Sequence, residues 1–124
     1  DVWAIKISPN GQLLEETSYG GESFDVGRSV ISDIENGYII CGSSRSGTGQ
    51  LTQNNGQNDV WVFKTEANGN LKWQTSIGGS DVDYAYGVAQ LDNGKIIVVG
   101  ESSSNDFDVP ENKGFTDLII TTLN

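Results

Sequence analysis

The sequence offers few groups for acid–base or nucleophilic chemistry. It contains no histidine, which is the commonest general base and metal ligand. A serine or cysteine nucleophile therefore has no histidine partner within this chain. Asp81 and Asp83 are conceivable as paired carboxylates of the kind that glycosidases use. Because pairs of acidic residues are also common in loops, we expect a protein that is not an enzyme.

One segment gathers oxygen atoms of the type that calcium prefers. Asn105, Asp106, Asp108 and Glu111 follow one another closely in a polar stretch. The stretch lacks the helix-flanked loop pattern of the common calcium-binding hands. We expect no cofactor, and keep calcium at Asp106, Asp108 and Glu111 as the alternative.

A second set of residues could hold a neutral sugar. Sugars are commonly bound by amide and carboxylate groups beside an aromatic ring. The candidates are Asn54, Asn55, Asn58, Asp81, Asp83, Tyr84, Tyr86 and Asn105. They lie in or next to long polar connections, and loops on a rigid scaffold often carry binding sites. The alternative is that these loops only cover the ends of strands.

Cys41 and the tryptophans are more typical of packing than of a site. Cys41 is the only cysteine, which excludes an internal disulfide, and its apolar surroundings predict a small core residue. Trp3 and Trp61 occupy the same position of a repeat, which favours packing between repeated units. Trp73 has no such counterpart, and we expect it to pack on its neighbour at the outer rim, with an exposed stacking surface as the alternative.

The acidic composition limits the classes of partner that the chain is expected to bind. The formal net charge is −10, with Lys and Arg numbering 7 against 17 Asp and Glu. Nucleic acid and anionic membrane surfaces need clustered positive charge, so neither is expected as a partner. No apolar run is long enough to cross a membrane. The chain contains no methionine, so we expect it to be a processed product or a piece of a longer protein.

An internal repeat must position all of these residues. Asp1-Val2-Trp3 recurs as Asp59-Val60-Trp61, a shift of 58 residues that also aligns Asn-Gly and Gly-Gly pairs along the chain. A second shift reaches Asp117. We therefore divide the single domain 1–124 into repeat 1 (1–58), repeat 2 (59–116) and a partial repeat 3 (117–124).

Asn-Gly pairs between apolar runs predict two hairpins in each repeat, with type I′ turns. The predicted strands lie near 1–8, 12–19, 26–34, 38–44, 59–66, 70–77, 84–92, 95–103 and 117–123. The fold class is all-β, in four-stranded antiparallel units that read as two blades and a partial one of a β-propeller. If the strand at 26–34 is innermost, the grouping becomes half a blade, one full blade and three strands of another.

The strand pattern also predicts the core. Apolar residues that should be largely buried are Ile5, Val30, Ile40, Cys41, Val60, Phe63, Val88, Ile97 and Val98. The hairpin turns should point to one end of each unit. The long connections and the Gly-Gly segments, with Asp25, Asp81 and Asp83, should share the opposite end. A ligand is expected at this long-loop end, if one binds at all.

A resemblance to a known type of repeat rests on three stretches of the sequence, which read Asp-Val-Trp-Val-Phe-Lys, Asn-Gly-Asn-Leu-Lys-Trp-Gln and Asp-Asn-Gly-Lys-Ile-Ile-Val-Val-Gly. The whole chain resembles the roughly 60-residue β-propeller-type repeats of secreted bacterial cell-surface proteins. That resemblance implies an extracellular location and a parent with more copies. Kelch-like repeats also have paired glycines, but their aromatic spacing fits poorly.

Repeats and resemblance together predict a non-enzymatic interaction or scaffold module. Its expected partners are other blades of a longer parent, further copies of itself, or a glycan. One alternative is a carbohydrate-binding module that uses the long-loop end. Another is part of a propeller enzyme whose catalytic residues lie in other blades.

Overall fold

The computed structural model describes residues 1–124, and all of its regular structure is β-strand. The strands are β1 (Val2–Ile7), β2 (Leu13–Tyr19), β3 (Asp25–Ser32), β4 (Tyr38–Ser44), β5 (Asp59–Thr65), β6 (Leu71–Ile77), β7 (Asp83–Gln90), β8 (Ile96–Ser102) and β9 (Asp117–Leu123). The all-β prediction is confirmed, with each strand within two residues of its expected bounds. The structure contains no helix that could cross a membrane.

The hairpin turns differ from the predicted type I′. In the β1–β2 turn only Gly11 takes a positive φ, and its N–H bonds to the Ser8 carbonyl at 2.9 Å. This is the three-residue loop in which a left-handed residue ends the turn. Asn36 takes that position in the β3–β4 turn, with φ of 70°. The Asn-Gly signal thus marked the hairpins correctly, although one left-handed residue suffices in each turn.

Antiparallel pairing groups the strands into three sheets of two, four and three strands. The first sheet is β1-β2, the middle sheet is β3-β4-β5-β6, and the third sheet is β7-β8-β9. Because β4 pairs with β5 in continuous register from Tyr38–Thr65 to Ser44–Asp59, the middle sheet spans the boundary between repeats 1 and 2. The sheets therefore follow the second predicted grouping, which is offset from the sequence repeat by half a unit.

The middle sheet is packed on both faces, and its side chains alternate between two apolar clusters. On one face Ile39, Cys41, Val60 and Val62 pack with Ala85, Ile96 and Val98 of the third sheet. On the other face Ile40, Trp61 and Phe63 pack with Tyr19 of the first sheet and with Leu51 of a long connection. We call the face toward the first sheet the back face and the face toward the third sheet the front face. The same two names apply to the corresponding faces of the first and third sheets.

A buried ion pair adds a polar link between the middle and third sheets. The Lys64 ammonium lies 2.7 Å from Asp33, whose side chain is fully buried, and 2.7 Å from Glu35. Asp33 also accepts a hydrogen bond from the Gln90 side-chain amide of β7 at 2.8 Å. The β3–β4 turn is thereby fixed to its own sheet and to the next one.

Positions that match in the repeat differ in burial at the two ends of the stack. Trp61 is fully buried, whereas its counterpart Trp3 on the back face of β1 is 65% exposed. Val30 is exposed, although its counterpart Val88 packs against the cluster between the middle and third sheets. The prediction that Ile5 and Val30 are buried is wrong, because no sheet covers the back face beside them.

The third sheet shows the same effect on its front face. Ile97 is only partly buried, and Val99 is exposed, while their counterparts Ile39 and Cys41 are fully buried. The predicted burial of Ile40, Cys41, Val60, Phe63 and Val98 is confirmed. Burial thus depends on whether a strand faces a neighbouring sheet.

Candidate functional site

A hollow of about 420 Å³ opens where the start of β7 approaches β3 and the end of β4. Its lining comprises Phe24, Arg28, Ser43, Arg45, Asn58, Tyr84 and Tyr86. Three of these, Asn58, Tyr84 and Tyr86, belong to the residues expected to bind a ligand. The hollow lies at the end of the sheets that carries the long connections.

Arg28 and Arg45 are the chain's only arginines, and both line this hollow. Neither takes part in an ion pair with any of the acidic residues. Arg45 is held in place by its Nε–H, which donates to the Asn58 side-chain oxygen at 2.6 Å. A guanidinium group without a carboxylate partner can donate paired hydrogen bonds to an incoming carboxylate.

Two tyrosines form the aromatic wall of the hollow. The ring centroids of Tyr84 and Tyr86 are 6.4 Å apart, and the ring planes are inclined by 34°. The Tyr86 hydroxyl donates to Glu101 at 2.7 Å, and this hydrogen bond raises the pKa of Tyr86. Since Tyr86 is half exposed, its ring is accessible from solvent. The hollow therefore combines a stacking surface with positive charge.

Asp83, another predicted ligand residue, is fully buried outside the hollow lining. Its carboxylate accepts hydrogen bonds from the Ser102 hydroxyl, from the Ser104 hydroxyl at 2.8 Å and from the Gly79 N–H at 2.8 Å. In repeat 1 the equivalent acceptor is Asp25, with Ser44, Ser46 and Gly21 as the donors. The repetition indicates a structural clamp that ties each Gly-Gly segment to the end of a strand.

The asparagines of the first long connection also bind neighbouring backbone. Asn54 donates to the Ser44 carbonyl at 3.0 Å, and Asn55 donates to the Gly78 carbonyl at 3.1 Å. Asp81 is exposed, and its carboxylate accepts from the Gln57 amide at 3.4 Å. These residues hold the connection against the following Gly-Gly segment and do not line the hollow.

The alternative calcium ligands of the second long connection have partners within the protein. Asp106 accepts the Ser80 N–H at 2.7 Å, and Asp108 accepts the Gly78 N–H at 3.3 Å. Glu111 is exposed 4.0 Å from Lys113, and Asn105 accepts a backbone N–H of its own loop. No three acidic or cysteine side chains of the molecule are placed to hold one metal ion.

Asp59 is a buried carboxylate that the sequence interpretation did not single out. Its Oδ2 accepts the Asn55 N–H at 2.8 Å, but its Oδ1 is buried without a hydrogen-bond partner. Burial raises the pKa of Asp59 to about 6, and the negative charges of Asp83 and Asp108 act in the same direction, against the Asn55 hydrogen bond. Burial likewise raises the pKa of the Cys41 thiol to about 11, which suits an unreactive core residue.

A groove of about 610 Å³ runs along the unpaired edge of β1, over the back face of β3. Apolar side chains dominate its lining, including Trp3, Ile5, Val30 and Ile40. At the opposite end of the stack, Leu118 and Ile120 on β9 are 73% and 62% exposed. Exposed apolar patches of this kind mark interaction surfaces.

The sequence did not point to the arginines. It also did not predict which apolar residues are exposed on the end faces, which are the back face of the first sheet and the front face of the third sheet. The arginines carried one signal, because they are the only two in a strongly acidic chain. The sequence does not indicate which copy of a repeat position is exposed, since Trp3 and Trp61 occur in the same motif.

No protein-family model matches the chain, and no curated protein matches it.

Proposed function

We propose that this chain is a non-enzymatic β-propeller segment that serves as an interaction or scaffold module of an exported bacterial surface protein. Propeller blades are four-stranded antiparallel sheets that stack in chain order. A middle sheet of four strands between two shorter sheets fits that arrangement. The resemblance to repeats of secreted bacterial proteins supports the extracellular location.

The contrast between repeat-equivalent positions carries the proposal. Val60 and Val62 are fully buried against the third sheet, whereas their counterparts Leu118 and Ile120 are exposed on the front face of β9. Repeated units of this kind cannot bury their faces alone, and each gains stability from its neighbours. The two end faces are therefore surfaces for further units, which belong to a longer parent or to other copies.

Inserting a second copy of residues 59–116 after residue 116 tests this function. The enlarged chain should melt at a higher temperature, because each added repeat contributes an interface as well as its own fold. A matched control carries the same insertion with the residues corresponding to Trp61 and Phe63 replaced by Ser. An unchanged melting temperature in the unaltered insertion would show that the units do not stack.

A second candidate function is carbohydrate binding at the hollow. The observation that favours it is the placement of both unpaired arginines beside Tyr84 and Tyr86. A sugar that bears a carboxylate suits this combination, because guanidinium groups bind carboxylates and aromatic rings stack on sugar faces. The acidic remainder of the molecule would disfavour the same ligand elsewhere.

Titration with galacturonic acid and with galactose separates the two candidates. Site-specific binding predicts saturation by the acid and a loss of about tenfold in affinity for Arg28→Gln. Lys113→Gln removes the same charge from an exposed loop and should leave the affinity unchanged. If neither sugar saturates the protein, the hollow is not a glycan site and the scaffold function stands alone.

A further inference from the structure

The groove beside β1 has the position that a paired strand occupies in the other sheets. In the middle sheet β4 lies next to β5, and in the third sheet β8 lies next to β9. The strands β1, β5 and β9 are successive copies of one repeat position, since Asp1, Asp59 and Asp117 are equivalent. Only β1 lacks a neighbour on that side.

The partial sheets at the two ends complement each other. The third sheet has the first three strands of a four-stranded unit, and the first sheet has the last two. If the two partial sheets joined, the resulting sheet would contain one strand too many, because β9 and β1 both correspond to the third strand of a unit. Two complete units need the eight strands β1 to β8, so β9 is the surplus strand.

β1 of a second copy should be a better partner for β8 than β9 is. It brings β2, which completes the fourth position, whereas the outer edge of β9 is unpaired. β9 also loses less packing than a central strand would, because Leu118 and Ile120 are exposed even when β9 is paired, although Leu123 packs against the cluster between the middle and third sheets. Trp3 of an incoming β1 would lie where the smaller Ile119 now faces the middle sheet.

We propose that copies of this chain associate head to tail by strand exchange, with β1 of one copy pairing with β8 of another in place of β9. The occupant of the groove is thus the β7-β8 pair of a second copy. This proposal rests on the proposed function, since it names the partner of the same end faces. Each shared sheet then has the order β7-β8-β1-β2.

The exchange also buries the remaining apolar surface. Within one chain, the front-face cluster that includes Ile39 and Cys41 packs against Val88. In the shared sheet, the equivalents Ile97 and Val99 would face Val30 of the second copy in the same way. Every copy contributes two sheets, so rings of roughly four to eight sheets contain two to four copies.

Sedimentation equilibrium of the full chain over a wide range of concentration measures the assembly. We expect masses of two to four times 13.3 kDa. Trp3→Lys should shift the population toward the single chain, because Trp3 becomes buried only on exchange. Ile34→Lys is the matched control: Ile34 is comparably exposed, at 62%, in the β3–β4 turn and should not alter the mass.

Two cysteine pairs distinguish strand exchange from simple stacking. Val99 lies opposite Ile120 in the β8–β9 register, and directly opposed strand residues are close enough for a disulfide. Oxidised Val99→Cys/Ile120→Cys locks β9 in place and should yield single chains, which associate again after reduction. Val99→Cys/Ala4→Cys should instead give disulfide-linked oligomers, since Ala4 is the repeat equivalent of Ile120.

Oligomers that persist in oxidised Val99→Cys/Ile120→Cys would overturn strand exchange. A wild-type mass of 13.3 kDa at every concentration would also overturn it. Neither result decides the proposed scaffold function, because the inserted-repeat experiment tests stacking within one chain.

Discussion

Asp59 and Asp83 are both fully buried on either side of Gly78, but only Asp83 has partners for both of its carboxylate oxygens. A Cβ atom built at Gly78 would lie 2.6 Å from Asp83 Oδ2 and 2.8 Å from Asp59 Oδ1. The absence of a side chain at Gly78 therefore lets the two acids approach the same backbone. Burial is the main reason why ionisation of Asp59 is less favourable in the folded state, and the nearby charge of Asp83 adds to it.

Stability should rise as the pH falls from 7 to 5. The pKa of Asp59 is about 6 in the folded chain and about 3.9 in an unfolded one, so the folded state binds the proton more tightly in this window. The expected gain is about 1 kcal/mol between pH 7 and pH 5. Urea unfolding of wild type and Asp59→Asn at both pH values measures it.

Asp59→Asn should lack this part of the pH dependence, while Asp117→Asn, at the equivalent but only partly buried position, should retain it. Burial raises the pKa of Asp33, but hydrogen bonds from Lys64 and Gln90 outweigh burial and lower the pKa overall. Stability from Asp33 is thus lost only below about pH 4, outside this window. Equal slopes for wild type and Asp59→Asn would contradict the prediction.

Asp83→Ala should destabilise the chain by about 3 kcal/mol, because it leaves two hydroxyl groups and the Gly79 N–H without their acceptor. Asp25→Ala should cost a similar amount, since Asp25 accepts the equivalent three hydrogen bonds in repeat 1. Chemical denaturation measures both. If Asp83→Ala keeps wild-type stability and loses a bound sugar instead, Asp83 is a ligand residue and not a clamp.

Ile39→Ala and Ile97→Ala should differ, although the two isoleucines occupy the same repeat position. Ile39 is fully buried between two sheets, so its truncation should cost about 3 kcal/mol. Ile97 lies on the front face of the third sheet, where partial exposure reduces the expected cost to about 1 kcal/mol. The comparison requires dilute, single-chain protein, and equal losses would show that the front face is covered.

Lys64→Thr should cost about 3 kcal/mol, because it leaves the buried Asp33 carboxylate without its ion pair. The equivalent residues in the following repeat are Leu91 and Thr122, which form no ion pair. Adding Asp33→Leu to Lys64→Thr should therefore restore part of the lost stability. A double variant less stable than Lys64→Thr would mean that the Asp33–Gln90 link outweighs the cost of the buried charge.

Much of the local structure could be predicted from the sequence. The shift that aligns Asp1 with Asp59, the Asn-Gly pairs and the apolar runs specified nine strands and their hairpins, because turn chemistry and side-chain alternation are local properties.

Only the tertiary structure decided how the strands combine and which faces are covered. The β4–β5 pairing crosses a long connection, and the sequence left both groupings open, with strands paired within one repeat or across its boundary. Trp3 and Trp61 both follow Asp-Val and precede two apolar residues, yet burial depends on the sheet that lies opposite each one. The hollow likewise brings together Arg28 of β3, Tyr86 of β7 and Arg45, which follows β4. Such convergence is a property of packing that residue spacing does not encode.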